Sequence, residues 1–354
     1  MYSILRRSRT GRSVSTTTLA ATFVLTMPFL LVACGDDGGG GGGAGAGGDA
    51  EAVEEWEPEN DIEWVVPFSA GGGFDQYSRG LAQVMENRLP DGVDIVVRNI
   101  EPMPQGLTEL YIAEPDGHTV GLLPMPSAIG EEILQPDLVK WKTSEFTVLG
   151  QVDSNAYVVY VAGDSPYEKI EDLVSEKGLQ AATVSEGGSS GLATRAAIGA
   201  MDLDAQVTYG LEGSAEVVTT LLRGDADFIV YGTSDIPGFV ESGDVRPLLF
   251  MGTEDQRPAE LSWLADVPSA EDAGFDDLAG TVTEIRAVVL PPEAPKEVTA
   301  YWETLLADTM ADDEFKKWAK DNERPIVPLG AKETEEAIDM QIERMKILVP
   351  QLPA

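Results

Sequence analysis

Short apolar runs alternate with segments of helical periodicity along most of the chain after Asp61. Ten runs are predicted as strands: "IEWVVPF", "DIVVRN", "TVGLLP", "FTVLGQV", "YVVYVAG", "AATVSE", "QVTYG", "DFIVYG", "VRPLLFMG" and "RAVVLPP". Apolar stripes at helical spacing occur within residues 77–89, 298–305 and 338–349, and we expect them to face a core. The alternation is typical of an α/β fold with largely parallel sheets. Ten strands exceed the usual size of one sheet, which favours two interwoven domains.

The first 34 residues have the pattern of a targeting signal. Four arginines precede an apolar stretch at residues 19–33, which is shorter than the roughly 20 residues that a membrane span needs. The stretch ends in "LVAC", which resembles the lipobox of secreted lipoproteins, where cleavage leaves a lipid on the cysteine. Cys34, the single cysteine of the chain, is therefore predicted to carry a lipid anchor. The alternative is an ordinary N-terminal anchor helix with an incidental cysteine.

Residues 35–60 predict a flexible tether, glycine-rich at first and then acidic. Over the whole chain, 61 acidic and 24 basic residues give a net charge of −37. A surface this acidic excludes nucleic acid as a partner, because phosphates must be neutralised by Lys and Arg. Loss of the four arginines of the signal would change the charge to −41, which suits a high-salt habitat that screens repulsion.

The stretch "VVPFSAGGGFDQYSRGL" at residues 65–81 passes from a predicted strand through three glycines into a predicted helix. Glycines allow close approach to the backbone, and the first turn of a helix has N–H groups without intrahelical partners. This combination favours a site for a carboxylate. Alternatively, Asp75 caps the helix and the glycines serve only the turn. A Gly-Lys-Ser/Thr phosphate loop and the G-x-G-x-x-G spacing are both missing, so a nucleotide site is disfavoured.

A second glycine-rich turn, "EGGSSG" at residues 186–191, also joins a predicted strand to a predicted helix. It matches the G-x-S-x-G pattern of hydrolase nucleophiles, with Ser189 at the serine position. The single histidine, His118, precedes Ser189, whereas that fold requires the histidine after the serine. We therefore predict no enzyme activity, and one His with one Cys gives no basis for a His/Cys metal site or another cofactor. The two turns are instead expected to hold a dicarboxylate at its two ends.

Several motifs, in this order, resemble the substrate-binding proteins of tripartite tricarboxylate transporters, the Bug family. They are "VVPFSAGGGFDQYSRGLAQVM", "AEPDGHTVGLL", "GGSSGLATRAA", "VTYGLEGSAEVVTTLLRGDADFIV", "GDVRPLLFMG" and "LPPEAPKEVTAYWETLLA", spread over residues 62–349. The resemblance implies an α/β, two-domain, periplasmic-binding-protein-like fold of type II with a ligand cleft between the domains. We expect domain 1 at residues 61–158 and 286–354 and domain 2 at residues 159–285.

The resemblance also implies that loops of both domains grip the ligand. The first turn supplies Phe68, Ala70, Gly71, Gly72, Gly73 and Asp75, and the second supplies Gly187, Gly188, Ser189 and Ser190. Further candidates stand at predicted strand ends or before helices, where ligands collect: Ser127, Asn155, Tyr209 and Asp235. For these four, ordinary capping or packing is an open alternative. Phe74 departs from the family's usual Thr or Ser and either forms an aromatic wall of the site or packs.

The function implied is extracytoplasmic, lipid-anchored capture of a small organic carboxylate, a tri- or dicarboxylate. The expected partners are that ligand, the membrane subunits of the transporter and the membrane through the anchor, with the protein itself a monomer. A ligand-sensing lipoprotein that signals to a membrane kinase needs the same cleft and remains the alternative, and a serine esterase is the third.

Overall fold

The computed structural model describes residues 56–353, which belong to one compact unit. The targeting signal, Cys34 and most of the predicted tether lie outside the described residues. The ten strands are β1 (Ile62–Val66), β2 (Ile95–Asn99), β3 (Thr119–Met125), β4 (Thr147–Ala162), β5 (Leu179–Ala182), β6 (Ala205–Thr208), β7 (Ile229–Gly232), β8 (Val245–Phe250), β9 (Thr283–Leu290) and β10 (Leu329–Gly330).

Ten α-helices lie between and after these strands in the part of the chain that is described. They are α1 (Gly73–Met85), α2 (Met103–Ile112), α3 (Ser127–Leu134), α4 (Ile170–Ser175), α5 (Ser189–Met201), α6 (Ser214–Leu222), α7 (Pro237–Glu241), α8 (Lys296–Ala311), α9 (Asp313–Asp321) and α10 (Ala331–Leu348). The three predicted apolar stripes fall in α1, α8 and α10, apart from Leu89 and Val349, which follow the ends of α1 and α10, and Leu89 is only partly buried. Their burial is confirmed, with Tyr77, Trp302 and Met345 fully buried. None of the described helices is long and apolar enough to cross a membrane.

The main sheet is mixed rather than largely parallel, so that part of the sequence prediction is wrong. Its strand order is β10-β4-β9-β3-β1-β2, and β7 and β8 also pair with β4. Strand β1 is parallel to β2 and β3, and β5 is parallel to β6 in a separate small sheet. Strand β4, by contrast, is antiparallel to β7, β8, β9 and β10. Because these four partners run antiparallel to β4, the sheet as a whole is mixed.

Strand β4 is 16 residues long and replaces two strands that were predicted separately. Its first part pairs with β9, up to Ala156, and its second part, from Tyr157, pairs with β7 and β8. The polar residues between the two apolar runs, which suggested a break, are buried within the continuous strand. Strand β4 therefore connects two regions of the fold.

The buried side chains form two pairs of clusters that define two lobes. Clusters around Trp64 and Leu123 take their members mainly from residues 62–152 and 285–349. Clusters around Phe228 and Tyr160 take theirs from residues 156–282. We call the two regions the first and the second lobe, and β4 and β9 run along their junction. The predicted domain boundaries at residues 158/159 and 285/286 stay a prediction.

Contacts other than β4 and β9 also join the lobes. Leu192 of α5, in the second lobe, packs into the first-lobe cluster that contains Ala128 and Ile129 of α3. Leu348 and Leu352 at the C-terminal end pack against clusters of both lobes. The fold is thus α/β and bilobal, and the starts of α1, α3, α5 and α6 lie near the junction.

Candidate functional site

The first glycine turn is held in shape by Asp75. Gly71 has φ +85°, a left-handed conformation that favours glycine, and Gly72 precedes the first residue of α1. The Asp75 carboxylate is buried and accepts hydrogen bonds from the Gly71 N–H (2.9 Å), Asn99 Nδ2 (3.0 Å) and Arg79 Nε (3.0 Å). Burial alone would raise the pKa of Asp75, but these hydrogen bonds outweigh it and lower the pKa. The Asp75 carboxylate thus stabilises the turn by accepting these hydrogen bonds.

The aromatic residues of this turn pack against each other and against a buried arginine. The rings of Phe68 and Phe74 have their centroids 4.7 Å apart, and the Arg286 guanidinium lies 4.8 Å from the centroid of the Phe74 ring. The Phe68 carbonyl accepts a hydrogen bond from Asn99 Nδ2 at 2.9 Å. Phe74 is 7% exposed, so it packs in this structure and stabilises the cation beside it.

Gly73 is the position where the first turn meets the second lobe. A Cβ atom on Gly73 would lie 2.7 Å from Asp235 Oδ1 and 3.1 Å from Arg286 Nη2. Both distances are shorter than ordinary van der Waals contact, so a side chain here would displace the ion pair that Asp235 and Arg286 form at 2.6 Å. Glycine is required at residue 73 because α1 begins directly against this ion pair.

Arg286 is the centre of a buried cluster of charges between the lobes. It is fully buried and forms ion pairs with Asp153, Asp235 and Glu284. Its Nη1 also donates to Ser234 Oγ at 3.0 Å. Burial alone would lower the pKa of Arg286, but the three carboxylates raise it, so the guanidinium stays charged.

The three carboxylates are not equivalent. Burial raises the pKa of Glu284 to about 7, although Arg286 opposes the shift. Burial also raises the pKa of Asp153, again against the effect of Arg286. The Tyr157 hydroxyl donates to Glu284 at 3.0 Å, and Asn155 Nδ2 lies 3.2 Å from Asp153 Oδ2 and 3.3 Å from Glu284 Oε1. One arginine thus faces three carboxylates, and the raised pKa of Glu284 lies near neutral pH.

The second glycine turn packs against α3 of the first lobe. The Ser189 and Ser127 hydroxyls lie 2.6 Å apart. The Ser189 N–H donates to Ser127 Oγ at 2.8 Å, and the Ser127 N–H donates to Ser189 Oγ at 3.2 Å. A Cβ atom on Gly130 would lie 2.2 Å from the Gly187 carbonyl oxygen, so the two backbones are in close contact. The starts of α3 and α5 therefore complete each other's hydrogen bonding.

The remaining polar groups of this turn bond to nearby side chains. Ser185 donates to Glu131 Oε1 at 2.9 Å and accepts from the Gly188 N–H at 3.0 Å. Burial raises the pKa of Glu131. The Ser190 hydroxyl lies 2.8 Å from Thr183 Oγ1. In this structure the hydroxyls of the second turn thus bond to protein groups.

The predicted site residues fall into three places. The first turn brings Gly73 close to Asp235 and packs Phe68 against Phe74, and Asn155 hydrogen-bonds to Asp153 and Glu284 of the Arg286 cluster. In the second turn Ser189 bonds to Ser127 and Gly187 packs against Gly130 of α3, whereas Gly188 and Ser190 bond to Ser185 and Thr183. Ala70 is exposed, and Tyr209 is half-buried with a hydroxyl that has no hydrogen-bond partner among the described residues. The structure does not show the two turns sharing a contact residue, and a ligand held at both ends by them stays a prediction.

Sequence reasoning missed the charged residues between the lobes. They are Asp153, Glu284, Arg286 and Arg324. Arg286 begins the predicted strand "RAVVLPP", and a charged residue inside an apolar run is a signal for a buried partner. Asp153 gives the same signal, because it lies between two apolar runs.

A cavity of about 750 Å³ opens between the lobes beside the first turn. It is lined by Gly71 and Gln76 at the start of α1, Ser214 and Ala215 at the start of α6, residues 235–239, Glu241 and Ser242 in and around α7, Asp244, and residues 321–324 at the end of α9 and after it. This volume is within the range of roughly 300–1,000 Å³ typical of small-molecule sites. Within residues 56–353 no group of three or more His, Cys, Asp or Glu side chains is arranged to hold a metal ion.

The bilobal α/β fold with a cavity between the lobes is the architecture of the periplasmic type of binding protein. Residues 79–353 match the family model described as tripartite tricarboxylate transporter family receptor. The chain belongs to this family. It is therefore a substrate-binding protein and not an enzyme, and the family supports an extracytoplasmic location.

Individual relatives agree with this assignment. The chain is 23% identical over 268 residues to a curated protein of Agrobacterium vitis, "UPF0065 protein in the TAR-I ttuE-ttuC' intergenic region", covering 73% of this chain and 75% of that one. The periplasmic binding protein BugD has the same fold, with a TM-score of 0.72 and 22% identity over 83% of this chain and 98% of that one. MatC from Rhodopseudomonas palustris, solved with bound malate, gives a TM-score of 0.72 at 18% identity over 82% and 99%.

Proposed function

We propose that this protein captures a small organic carboxylate, a di- or tricarboxylate, outside the cell membrane and delivers it to the membrane subunits of a tripartite tricarboxylate transporter. The observation that carries the proposal is the cavity between the lobes, which is lined by residues of both. A ligand in such a cavity contacts both lobes, so it stabilises the closed arrangement that a membrane partner can distinguish from the open one.

Part of the cavity wall favours an acidic ligand, although five carboxylates, Asp235, Glu241, Asp244, Asp321 and Glu323, also line it. Two helices, α1 and α6, begin at its wall, and the first N–H groups of a helix favour negative charge. Arg324 adds a cationic side chain to the same wall. The bound malate of MatC, a protein with the same fold, is consistent with a carboxylate here.

A ligand panel tests this function directly. The melting temperature of the purified protein is measured with citrate, malate, succinate, glucose and a mixture of inorganic cations, each at millimolar concentration. At least one carboxylate should raise the melting temperature, because a ligand that prefers the folded state stabilises it. Stabilisation by the sugar or the cations alone would contradict carboxylate capture while leaving the family assignment intact.

We also propose that Cys34 carries a lipid that anchors the mature protein. The support is the order of basic residues, short apolar stretch and "LVAC" in the sequence, followed by a glycine-rich tether. The Cys34→Ser variant should lose processing or be released from the membrane, measured by fractionation of expressing cells. A variant that is processed and stays membrane-bound would show that another feature anchors the protein.

A further inference from the structure

The C-terminal end of the chain passes from the first lobe to the second. Helix α10 packs on the first lobe, and Met345 is buried in its core. After α10 the chain turns at Val349, which is buried in the same cluster. Leu348 and Leu352 pack against clusters of both lobes. We call residues 348–353 the C-terminal strap, and it joins the lobes in addition to β4 and β9.

Arg195 of α5 holds the end of this strap on the second lobe. Its side chain is 4% exposed. Nε donates to the Pro353 carbonyl at 2.6 Å, and Nη2 donates to the Leu352 carbonyl at 3.4 Å. One turn further along α5, a Cβ atom on Gly199 would lie 3.3 Å from Pro353 Cδ. Helix α5 therefore binds the strap through a cationic donor and a closely fitting surface on one of its faces.

The same guanidinium also contacts the second glycine turn. Arg195 Nη1 lies 3.4 Å from Glu186 Oε1. Glu186 is the first residue of the turn at residues 186–191, in which Ser189 exchanges hydrogen bonds with Ser127 of the first lobe. One buried side chain of the second lobe therefore contacts both the strap and the turn, and both of these reach the first lobe.

The chemistry of Arg195 favours a role in geometry over a role in stability. A buried guanidinium loses hydration, and an ion pair offsets that loss only when the two partners fit closely. Its carboxylate partner, Glu186, is 44% exposed and lies at 3.4 Å. The planar fork of an arginine does, however, hold several acceptors in a fixed arrangement. A methionine, which is also long and unbranched, would keep the packing and lose this arrangement.

Opening of the lobes would strain or break the contacts of the strap. In the described part of the chain, the backbone passes between the lobes in β4 and returns in β9. Contacts that exist in one arrangement of the lobes and not in the other favour the first by their free energy. Arg195 and the strap lie outside the set of described residues that line the cavity. Their loss would therefore shift the lobes without removing a group from the cavity wall.

We propose that Arg195 is a positioning residue that fastens the C-terminal strap across the two lobes and thereby favours the arrangement in which a ligand is held. The proposal rests on the proposed function, because it takes closure of the lobes as the means of capture. It adds a restraint remote from the cavity, which sets how readily the lobes close and how slowly the ligand leaves. The restraint is independent of which carboxylate is bound.

The distance between the lobes in the free protein tests the proposal. Spin labels are attached at Thr219→Cys in α6 and Glu314→Cys in α9, two exposed positions on different lobes, with Cys34→Ser removing the natural cysteine. Pulsed electron double resonance measures the distribution of label distances. Arg195→Met should at least double the fraction of the longer distances. An unchanged distribution overturns the proposal.

Arg246→Met is the matched control. Arg246 is a half-buried arginine of the second lobe, and it donates to the carbonyls of Gly163, Ser165 and Tyr167 in the same lobe. Both variants thus lose a guanidinium that is bonded to carbonyl groups. The distribution should stay that of the wild type in Arg246→Met. An equal change in both variants would mean a general loosening of the second lobe and would overturn the role of Arg195.

Truncation after Gln351 tests the strap without changing α5. It removes both carbonyl acceptors of Arg195 and should lengthen the distances as Arg195→Met does. The two changes together should give no more than either alone, because each breaks the same contact. Additive effects, or a truncated protein with wild-type distances, would overturn the strap as the restraint.

Ligand kinetics separate this proposal from the proposed function. Stopped-flow measurements use the carboxylate of the panel, citrate, malate or succinate, that stabilises the wild type most. Arg195→Met should release it at least threefold faster, with an association rate within twofold of the wild type. Unchanged release overturns the positioning role. If the wild type binds none of the three, the proposed function fails, whereas the distances in the free protein still decide whether the strap restrains the lobes.

Discussion

Ser127 and Ser189, 62 residues apart in the sequence, exchange hydrogen bonds across the junction of the two lobes. Each is the first residue of its helix, α3 or α5, and each hydroxyl accepts from the other residue's N–H. The first N–H groups of a helix have no acceptor within it. Each helix start therefore satisfies one N–H group of the other, and both serines are buried.

The first prediction concerns this reciprocal pair. Ser127→Ala and Ser189→Ala should each reduce the free energy of unfolding by about 1–2 kcal/mol, because each leaves a buried N–H without its acceptor. The double variant should lose about 1 kcal/mol less than the sum of the two, since the second substitution removes a hydroxyl whose partner is already missing. Urea unfolding of the four proteins measures the coupling.

Ser190→Ala is the control for the serine pair. The Ser190 hydroxyl bonds to Thr183 of its own lobe, whereas the Ser189 hydroxyl bonds to Ser127. Its effect should add to that of Ser127→Ala. Additive losses in the Ser127 and Ser189 double variant would mean that the two hydroxyls stabilise the protein independently.

The second prediction concerns Gly73 and its neighbour. Gly73→Ala should weaken ligand binding at least tenfold, because its Cβ would lie 2.7 Å from Asp235 and displace the lobes from the arrangement seen here. Gly72→Ala is a matched control, since its Cβ would have Ser69 O at 3.5 Å as its nearest neighbour, an ordinary contact. Calorimetry with a carboxylate that stabilises the wild type measures both. Equal losses in the two variants would assign the effect to the turn as a whole.

This contrast shows what the sequence could and could not predict about the site. Three consecutive glycines between a strand and a helix pattern predict a turn before α1, and the structure has one. The pattern does not tell Gly72 from Gly73, because the difference comes from Asp235 and Arg286, more than 150 residues away along the chain. Such neighbours are set by tertiary packing, which a local pattern does not contain.

The same reasoning applies to the fold. Apolar periodicity predicted the helices α1, α8 and α10, because a core-facing stripe is a local property of the chain. The length of β4 and its antiparallel partners were not predictable in this way. Asp153 and Asn155 looked like a break between two strands, and they are compatible with a buried strand only because Arg286 and Glu284 lie opposite them.

The third prediction concerns the pH dependence of stability. The pKa of Glu284 is about 7 in the folded protein against an ordinary value of 4.5, with burial as the main cause. The folded state therefore holds this proton more tightly than the unfolded state does. The resulting stabilisation is fully present below about pH 4.5 and is lost as the pH rises through 7.

Glu284→Gln tests this contribution, because the amide keeps an oxygen for Tyr157 and does not titrate. The free energy of unfolding of the wild type minus that of the variant should fall between pH 5 and 8, measured with urea at constant ionic strength. Glu260→Gln, at an exposed carboxylate, controls for the loss of one negative charge. A difference that is flat with pH, or that rises, would mean that Glu284 is ionised in the folded protein throughout this range.

The last prediction concerns salt. With 61 acidic and 24 basic residues, the folded protein carries a net charge of −37, and compaction brings these like charges together. Salt screens the repulsion, since the Debye length falls from about 30 Å at 0.01 M to about 3 Å at 1 M. The melting temperature should therefore rise between 0.01 and 1 M sodium chloride.

Potassium chloride should give the same curve if screening is the cause, because screening depends on ionic strength and not on the cation. A flat or falling curve would show that exposed ion pairs such as Arg98–Glu63, which salt weakens, outweigh the net repulsion.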